Sequence, residues 1–365
     1  MFLKTSEELK KELQERKFEE RGNQLVSDFI SMLDTWFSLP NKTDSNLEAY
    51  YFQTKAEIAL YPTDTDFKKK YFTPSSANSC PRELYCKLKG MKRDTTENLP
   101  YRGRWQRMGT LFGEMVQKEL LYIHKHYKQA TGENPPFVPH YVELQLGEEV
   151  KKYPAWEDFV KRSKTIVWNG VEVNLMGMPD GILKYKDGSI VGLEIKSKQT
   201  SYSRTSHFSM KSPSESHVLQ LVGYSLLYGI DEFIILYGNL SKKDWLMSHE
   251  EYDKYPDIRA FYVRVTEEDR EQLLDRFSAI VKAVKEGNPP KLDIDKWVFN
   301  NYKHACIISL TDGEVKEIRD MYEETMFGLS KSSKVSRGLK TKLETLRDIL
   351  KHIDEVKGGG LPWES

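Results

Sequence analysis

The chain holds only three cysteines in 365 residues, Cys80, Cys86 and Cys306, too few and too scattered for a disulfide framework. No run approaches the roughly 20 apolar residues that cross a bilayer. The start, MFLKTSEELKKELQERKFEERG, is a charged helical pattern without the apolar core of a secretory signal. These absences lead us to expect a reducing cytoplasm and no membrane partner. Neither sign of charge is in excess: 55 Lys and Arg balance 55 Asp and Glu, so no global basic field announces a nucleic-acid partner. A neutral total still permits a local basic patch, which is what phosphate contacts need. With 39% hydrophobic and 30% charged residues, the composition is that of a globular protein, long enough to bury a sizeable core.

Residues 3–20 are rich in good helix formers, and VSDFISMLDTWFSL (26–39) repeats apolar residues at helical spacing. A Ser/Pro/Asn loop then leads into a short helix starting near Pro81. Residues 104–128 read as a further helix, followed by a Pro-rich break, NPPFVP, and the alternating strand HYVELQL (140–146). Two more strand candidates, 170–185 and 189–198, are joined by Lys186-Asp187-Gly188, a hairpin signal. Residues 214–229 are helical, with Ser214 or Ser216 as N-cap and Gly229 as stop. Strands at 231–239 and 260–265 follow, then amphipathic helices ending at Gly287 and spanning 339–357, and a Gly-rich tail ending LPWES. The order predicts an α/β fold, a mixed sheet flanked by helices. The expected division is a helical N-terminal extension (1–70), a central domain (71–310) and a C-terminal helical segment with a flexible tail (311–365).

The hairpin carries the chemistry. If its turn is centred on Asp187, Asp180 and Glu194 oppose each other, with Cβ atoms about 4.5–5.5 Å apart. Two carboxylates that close repel, and a divalent cation between them relieves the repulsion. Lys196, two residues past Glu194, lies on the same face. Ile195 points its side chain into the core while its carbonyl can turn to the metal. Oxygen ligands of this kind suit magnesium or manganese.

Gly177-Met178-Pro179-Asp180, Leu193-Glu194-Ile195-Lys196-Ser197 and Gln220-Leu221-Val222-Gly223-Tyr224 together resemble the PD-(D/E)XK nuclease superfamily, more closely its RecB-type branch of phage exonucleases and CRISPR-adaptation nucleases. The resemblance covers roughly residues 72–245. It implies a restriction-endonuclease-like core, DNA as partner, a bacterial or phage-infected host cytoplasm, and a role in recombination, repair or replication. Asp180 and Glu194 then bind metal, Lys196 assists the attacking water, and Gln220 and Tyr224, one helical turn apart, reach toward the site. The branch often adds a metal-binding His from an earlier helix. The matching stretch, from Gly109 to Gln117, has none; Glu114, or more weakly Gln117, stands in for it. Glu143 matches a recurrent acidic position with a supporting role. Many members carry an iron–sulfur cluster on four cysteines. Cys80 resembles the first, but three cysteines cannot complete the cage.

Between Glu194 and Glu215 no acidic residue occurs, while Lys196, Lys198, Arg204 and Lys211 alternate with Tyr202, His207 and Phe208. Basic and aromatic side chains beside a metal site suit phosphate tracking and base stacking; Arg102, Arg104 and Arg107 are placed to line an opposite wall. The leading reading is a metal-dependent exonuclease. An endonuclease of the same fold, a non-catalytic DNA-binding subunit and a protein adaptor working through the C-terminal helix or tail remain open.

Overall fold

The computed structural model describes residues 6–60, 69–95, 99–146, 148–331 and 336–358. In chain order the elements are α1 (Ser6–Ser38), α2 (Ser45–Leu60), α3 (Pro81–Lys89), α4 (Pro100–Thr131), β1 (Phe137–Pro139), β2 (Tyr141–Leu146), β3 (Glu149–Pro154), β4 (Arg162–Trp168), β5 (Val171–Gly177), β6 (Gly181–Tyr185) and β7 (Ile190–Lys198). Then come α5 (Glu215–Tyr228), β8 (Glu232–Asn239), α6 (His249–Lys254), β9 (Ile258–Arg264), α7 (Glu267–Glu286), α8 (Lys303–Ile308), α9 (Asp312–Lys331) and α10 (Arg337–Lys357). The fold is mixed α/β. Five strands form one sheet in the order β1-β6-β7-β8-β9, in which the β7–β8 pair is parallel and the others antiparallel. A parallel neighbour needs a crossover, and α5 supplies it.

The chain splits into two compact units. The first comprises residues 1–67, 98–164 and 175–271, and the second 68–97, 165–174 and 272–365. They do not follow the linear division at residues 70 and 310. The reason lies in α1, whose Leu25, Phe29, Met32, Leu33 and Trp36 are buried in the same core as Phe112, Val116 and Leu120 of α4 and Leu193, Ile195, Ile234 and Leu236 of the sheet. Side chains of that size contribute about 1.5–3 kcal/mol each on burial, so α1 is an integral layer of the first unit. Gly22 lets it lie close, because a Cβ there would overlap the Tyr262 ring of β9.

The second unit has its own core. Leu346, Ile349, Leu350 and Ile353 of α10 are buried, so the apolar stripe that suggested a partner surface is covered within the unit itself. Arg82 is buried too and donates to the Pro290 carbonyl at 2.6 Å, with an ion pair to Glu314. All three cysteines are buried here as free thiols, Cys86 Sγ lying 3.9 Å from Cys306 Sγ. The LPWES peptide lies outside the described residues.

Two strand expectations need correction. The Pro-rich break contains β1, which pairs with β6 at the sheet edge, where proline costs no ladder hydrogen bond. HYVELQL forms β2, as its alternation predicts, and pairs with β3 in a separate two-stranded sheet. Residues 170–185 make two strands, broken between Gly177 and Gly181, where Pro179 cannot donate. β5 pairs instead with β4 across Asn169-Gly170, both at positive φ (49° and 77°); Asn-Gly there is a hairpin signal the periodicity reading passed over.

Candidate active site

The β6–β7 ladder runs Gly181↔Leu193, Ile182↔Gly192, Leu183↔Val191 and Lys184↔Ile190. It is centred on Asp187, as the turn predicts, and continuing it by one step sets Asp180 opposite Glu194. Strand alternation sends Leu193 and Ile195 into the core beneath α1 and α4. Glu194, Lys196 and Lys198 face the other way, toward α5.

On that face the polar groups close a compact network. Lys196 Nζ lies 2.5 Å from Glu194 Oε1 and donates to Gln220 Oε1 at 3.1 Å. Gln220 Nε2 donates to the same Glu194 oxygen at 2.8 Å and to the Tyr224 hydroxyl at 3.0 Å. Gln220 and Tyr224, four residues apart on α5, share a helix face. Asp180 is anchored from the strand, its Oδ2 accepting the Ile195 N–H at 2.6 Å. A strand residue's N–H and C=O leave the backbone on one side, so the Ile195 carbonyl also faces the Asp180 side.

Burial decides the electrostatics. Glu194 is 1% exposed, and loss of hydration, then the Asp180 charge, push its carboxyl well above the usual range against the pull of Lys196 and Gln220. Burial raises Asp180 as well, opposed by the Ile195 N–H and Lys196 and assisted by Glu157. Tyr224 is raised by burial and by both carboxylates. The network thus has too little positive charge for its two acids.

At this site, among the described residues, two buried oxygens have no hydrogen-bond partner, Glu194 Oε2 and Gln117 Oε1. Unpaired buried acceptors are costly, and a hard cation is what two carboxylates and neutral oxygens accept. The donor set of Asp180, Glu194 and the Ile195 carbonyl is therefore one that could hold a hard divalent cation. Among the described residues no group of three or more His, Cys, Asp or Glu side chains is placed to hold a metal ion, so at this site only Asp180 and Glu194 offer such side chains. Of the two α4 candidates, Glu114 is held by Lys55 at 2.6 Å. Gln117, nearly one turn further on, is 1% exposed and donates to the Asp180 carbonyl at 2.8 Å. The helix turns Gln117 toward the site because Phe112, Val116 and Leu120 of the same helix face the core. Glu143 is exposed and ion-paired with Lys152 at 3.5 Å.

Two residues near the site carry no motif. Glu157 has φ 47° and donates its N–H to the Pro179 carbonyl at 2.8 Å, steadying the turn before Asp180; no sequence signal marks a non-glycine residue for that conformation. His217 Nδ1 meets the Tyr237 hydroxyl at 2.7 Å, and burial with nearby Lys196 and Lys198 pushes its pKa down to about 4. The proposed DNA-contacting residues separate. Lys198 and Arg204 line a groove with Trp105, Ser197 and Tyr237, while His207 lines a different hollow against Ile30 and Asp34 of α1. Arg104, Arg107 and Lys211 are exposed.

Compared with known families and with curated proteins, the chain matches none. Among solved structures it is similar to a protein named SSO0001, at 12% identity over 73% of this chain and 98% of that one, with a TM-score of 0.37. It is also similar to an alkaline exonuclease, LHK-Exo, from Laribacter hongkongensis (12% identity, 64% and 94% covered, TM-score 0.33). A phage related exonuclease from Haemophilus somnus gives 13% identity, 62% and 96% covered, and a TM-score of 0.32. At these scores the likeness is loose, and the functional reading rests on the site.

Proposed function

We propose that this chain is a magnesium- or manganese-dependent nuclease of the PD-(D/E)XK type that hydrolyses DNA phosphodiester bonds from an end. The observation that carries the reading is the buried acid pair Asp180–Glu194 with Glu194 Oε2 unpartnered beside the Lys196 ammonium. Asp180, Glu194 and the Ile195 carbonyl would hold the ion, with Gln117 Oε1 completing the set in preference to Glu114. Bound there, the ion supplies charge neutralisation at the phosphate and acidifies a water. Lys196 orients that water and donates to the phosphate oxygens as negative charge develops. Gln220 holds Lys196 against Glu194, and Tyr224 holds Gln220. Lys198 and Arg204 contact the DNA backbone.

Digestion of end-labelled linear and closed circular DNA with either metal, wild type against Lys196→Ala, tests this. Loss of linear DNA alone, at least 100-fold slower in the variant, is the expected result. Cutting of the circle would replace the exonuclease by an endonuclease. Inactivity of the wild type with both metals would refute the enzyme and leave a non-catalytic DNA-binding subunit.

A further inference from the structure

The groove beside the candidate site has a composition the reaction does not require. Its volume is about 680 Å3, and its lining, from Trp105 and Gln106 of α4 across residues 197–214 to Tyr237 of β8, contains no acidic side chain. Both wall segments are free of acids in the sequence: none occurs between Glu97 and Glu114 or between Glu194 and Glu215. The walls are tied together. Gln199 Nε2 donates to the Trp105 carbonyl at 2.7 Å, and a Cβ on Gly109 would come 2.8 Å from Ser197 Oγ. That closeness brings the first turns of α4 over the strand end. The Trp105 side chain stays 48% exposed, with Tyr101 packed edge-on at 5.0 Å.

Charge in the groove is unbalanced. Lys198 Nζ sits 5.0 Å over the Tyr237 ring, and Arg204 Nε donates to a neutral partner, Thr200 Oγ1, at 3.0 Å. Burial first, then the nearby Arg204 and Lys196 charges, lower the Lys198 pKa, and an anion in the groove would offset the part that is repulsion. The groove begins at Ser197 and Lys198, directly after Lys196, so a polyanion lying in it runs into the acid pair. An exposed indole gives stacking energy to an open base face, and in a duplex those faces are already stacked. A space of this volume suits a small ligand, one or two bases and not a double helix.

We propose that this groove grips an unpaired nucleic-acid strand, one base stacked on Trp105 and its phosphates on Lys198 and Arg204, so that the end presented to the acid pair is single-stranded. The inference rests on the nuclease reading for its substrate, but binding tests it without catalysis. In EDTA, the wild-type chain, Trp105→Ala and Trp105→Phe are titrated with a labelled oligothymidine and with a blunt duplex of equal length. We expect the single strand to bind at least tenfold tighter. Trp105→Ala should weaken it about 5- to 150-fold, the worth of one stacked base, without changing duplex affinity, and Trp105→Phe should restore most of the loss. Arg204→Ala should reduce the salt slope for the single strand by about 0.7. Equal binding of duplex, or indifference to Trp105→Ala, would overturn the groove and leave the nuclease reading standing. Single-strand binding with these responses but no hydrolysis with either metal would do the reverse.

Discussion

Replacing Gln220 with leucine removes the side chain that ties the acid, the lysine and the tyrosine together. Its amide makes three hydrogen bonds, at 2.8 Å to Glu194, 3.1 Å from Lys196 and 3.0 Å to Tyr224. Bonds to charged partners are worth about 1.5–3 kcal/mol each and a neutral one about 1 kcal/mol. Glu194 and Lys196 keep each other at 2.5 Å, retaining part of the first two, and the leucine recovers about 1–2 kcal/mol by apolar burial. The Tyr224 hydroxyl loses its Gln220 partner in a buried place, which adds about 1 kcal/mol or more. The net destabilisation is about 2–4 kcal/mol, large against a typical total of about 5–15 kcal/mol but compatible with folding. Urea unfolding at pH 7.5 should show this as a lower midpoint with an unchanged slope. Cleavage should slow by about 10–100-fold, the usual effect of losing a group that orients a metal-site residue. A variant within 0.5 kcal/mol of wild type and equally active would mean that the Glu194–Gln220–Lys196 triangle does not form in solution.

Further outcomes follow from the same geometry. Manganese at about 100 times its dissociation constant should stabilise the wild type by about 2.7 kcal/mol and leave Glu194→Gln unmoved in thermal melts; an equal rise in both would place the ion elsewhere. His217 has a folded pKa, about 4, below the ordinary 6.5, so between those values the unfolded chain binds more protons and stability falls as pH drops. Allowing for its partial exposure, the loss from pH 7 to 4 should be about 1–2 kcal/mol and absent in His217→Gln; a histidine proton signal titrating near 6.5 would contradict this. Gly238→Ala should cost about 3 kcal/mol or more, because its Cβ would overlap the Phe112 ring. Adding Phe112→Ala should recover part of that loss, and purely additive losses in denaturation would rule out the clash.

Local pattern was enough for the hairpin. A period of two and an Asp-Gly turn set Asp180 against Glu194 with Lys196 on the same face, and the observed ladder has that register. The Gly229 stop of α5 was legible for the same reason, since it takes the left-handed conformation that helix ends favour, whereas the choice between Ser214 and Ser216 as N-cap stayed open until the structure placed Ser214 there. The Asn169-Gly170 turn was equally local and went unread inside an apolar run.

Other choices depend on groups far apart in the chain. Glu114 and Gln117 are less than one turn apart, and only the packing of α4 against the sheet turns Gln117 to Asp180 and leaves Glu114 to Lys55. Whether α1 is a free extension or a core layer depends on the strands it covers, which are distant in the chain. The same holds for the groove: each acid-free segment is visible by itself, but their meeting across Gln199 and Trp105 is a contact between distant positions. Periodicity and turn chemistry act within a few residues, so they encode faces and registers. Which face meets which is decided by burial summed over the whole unit, and no local stretch contains that sum.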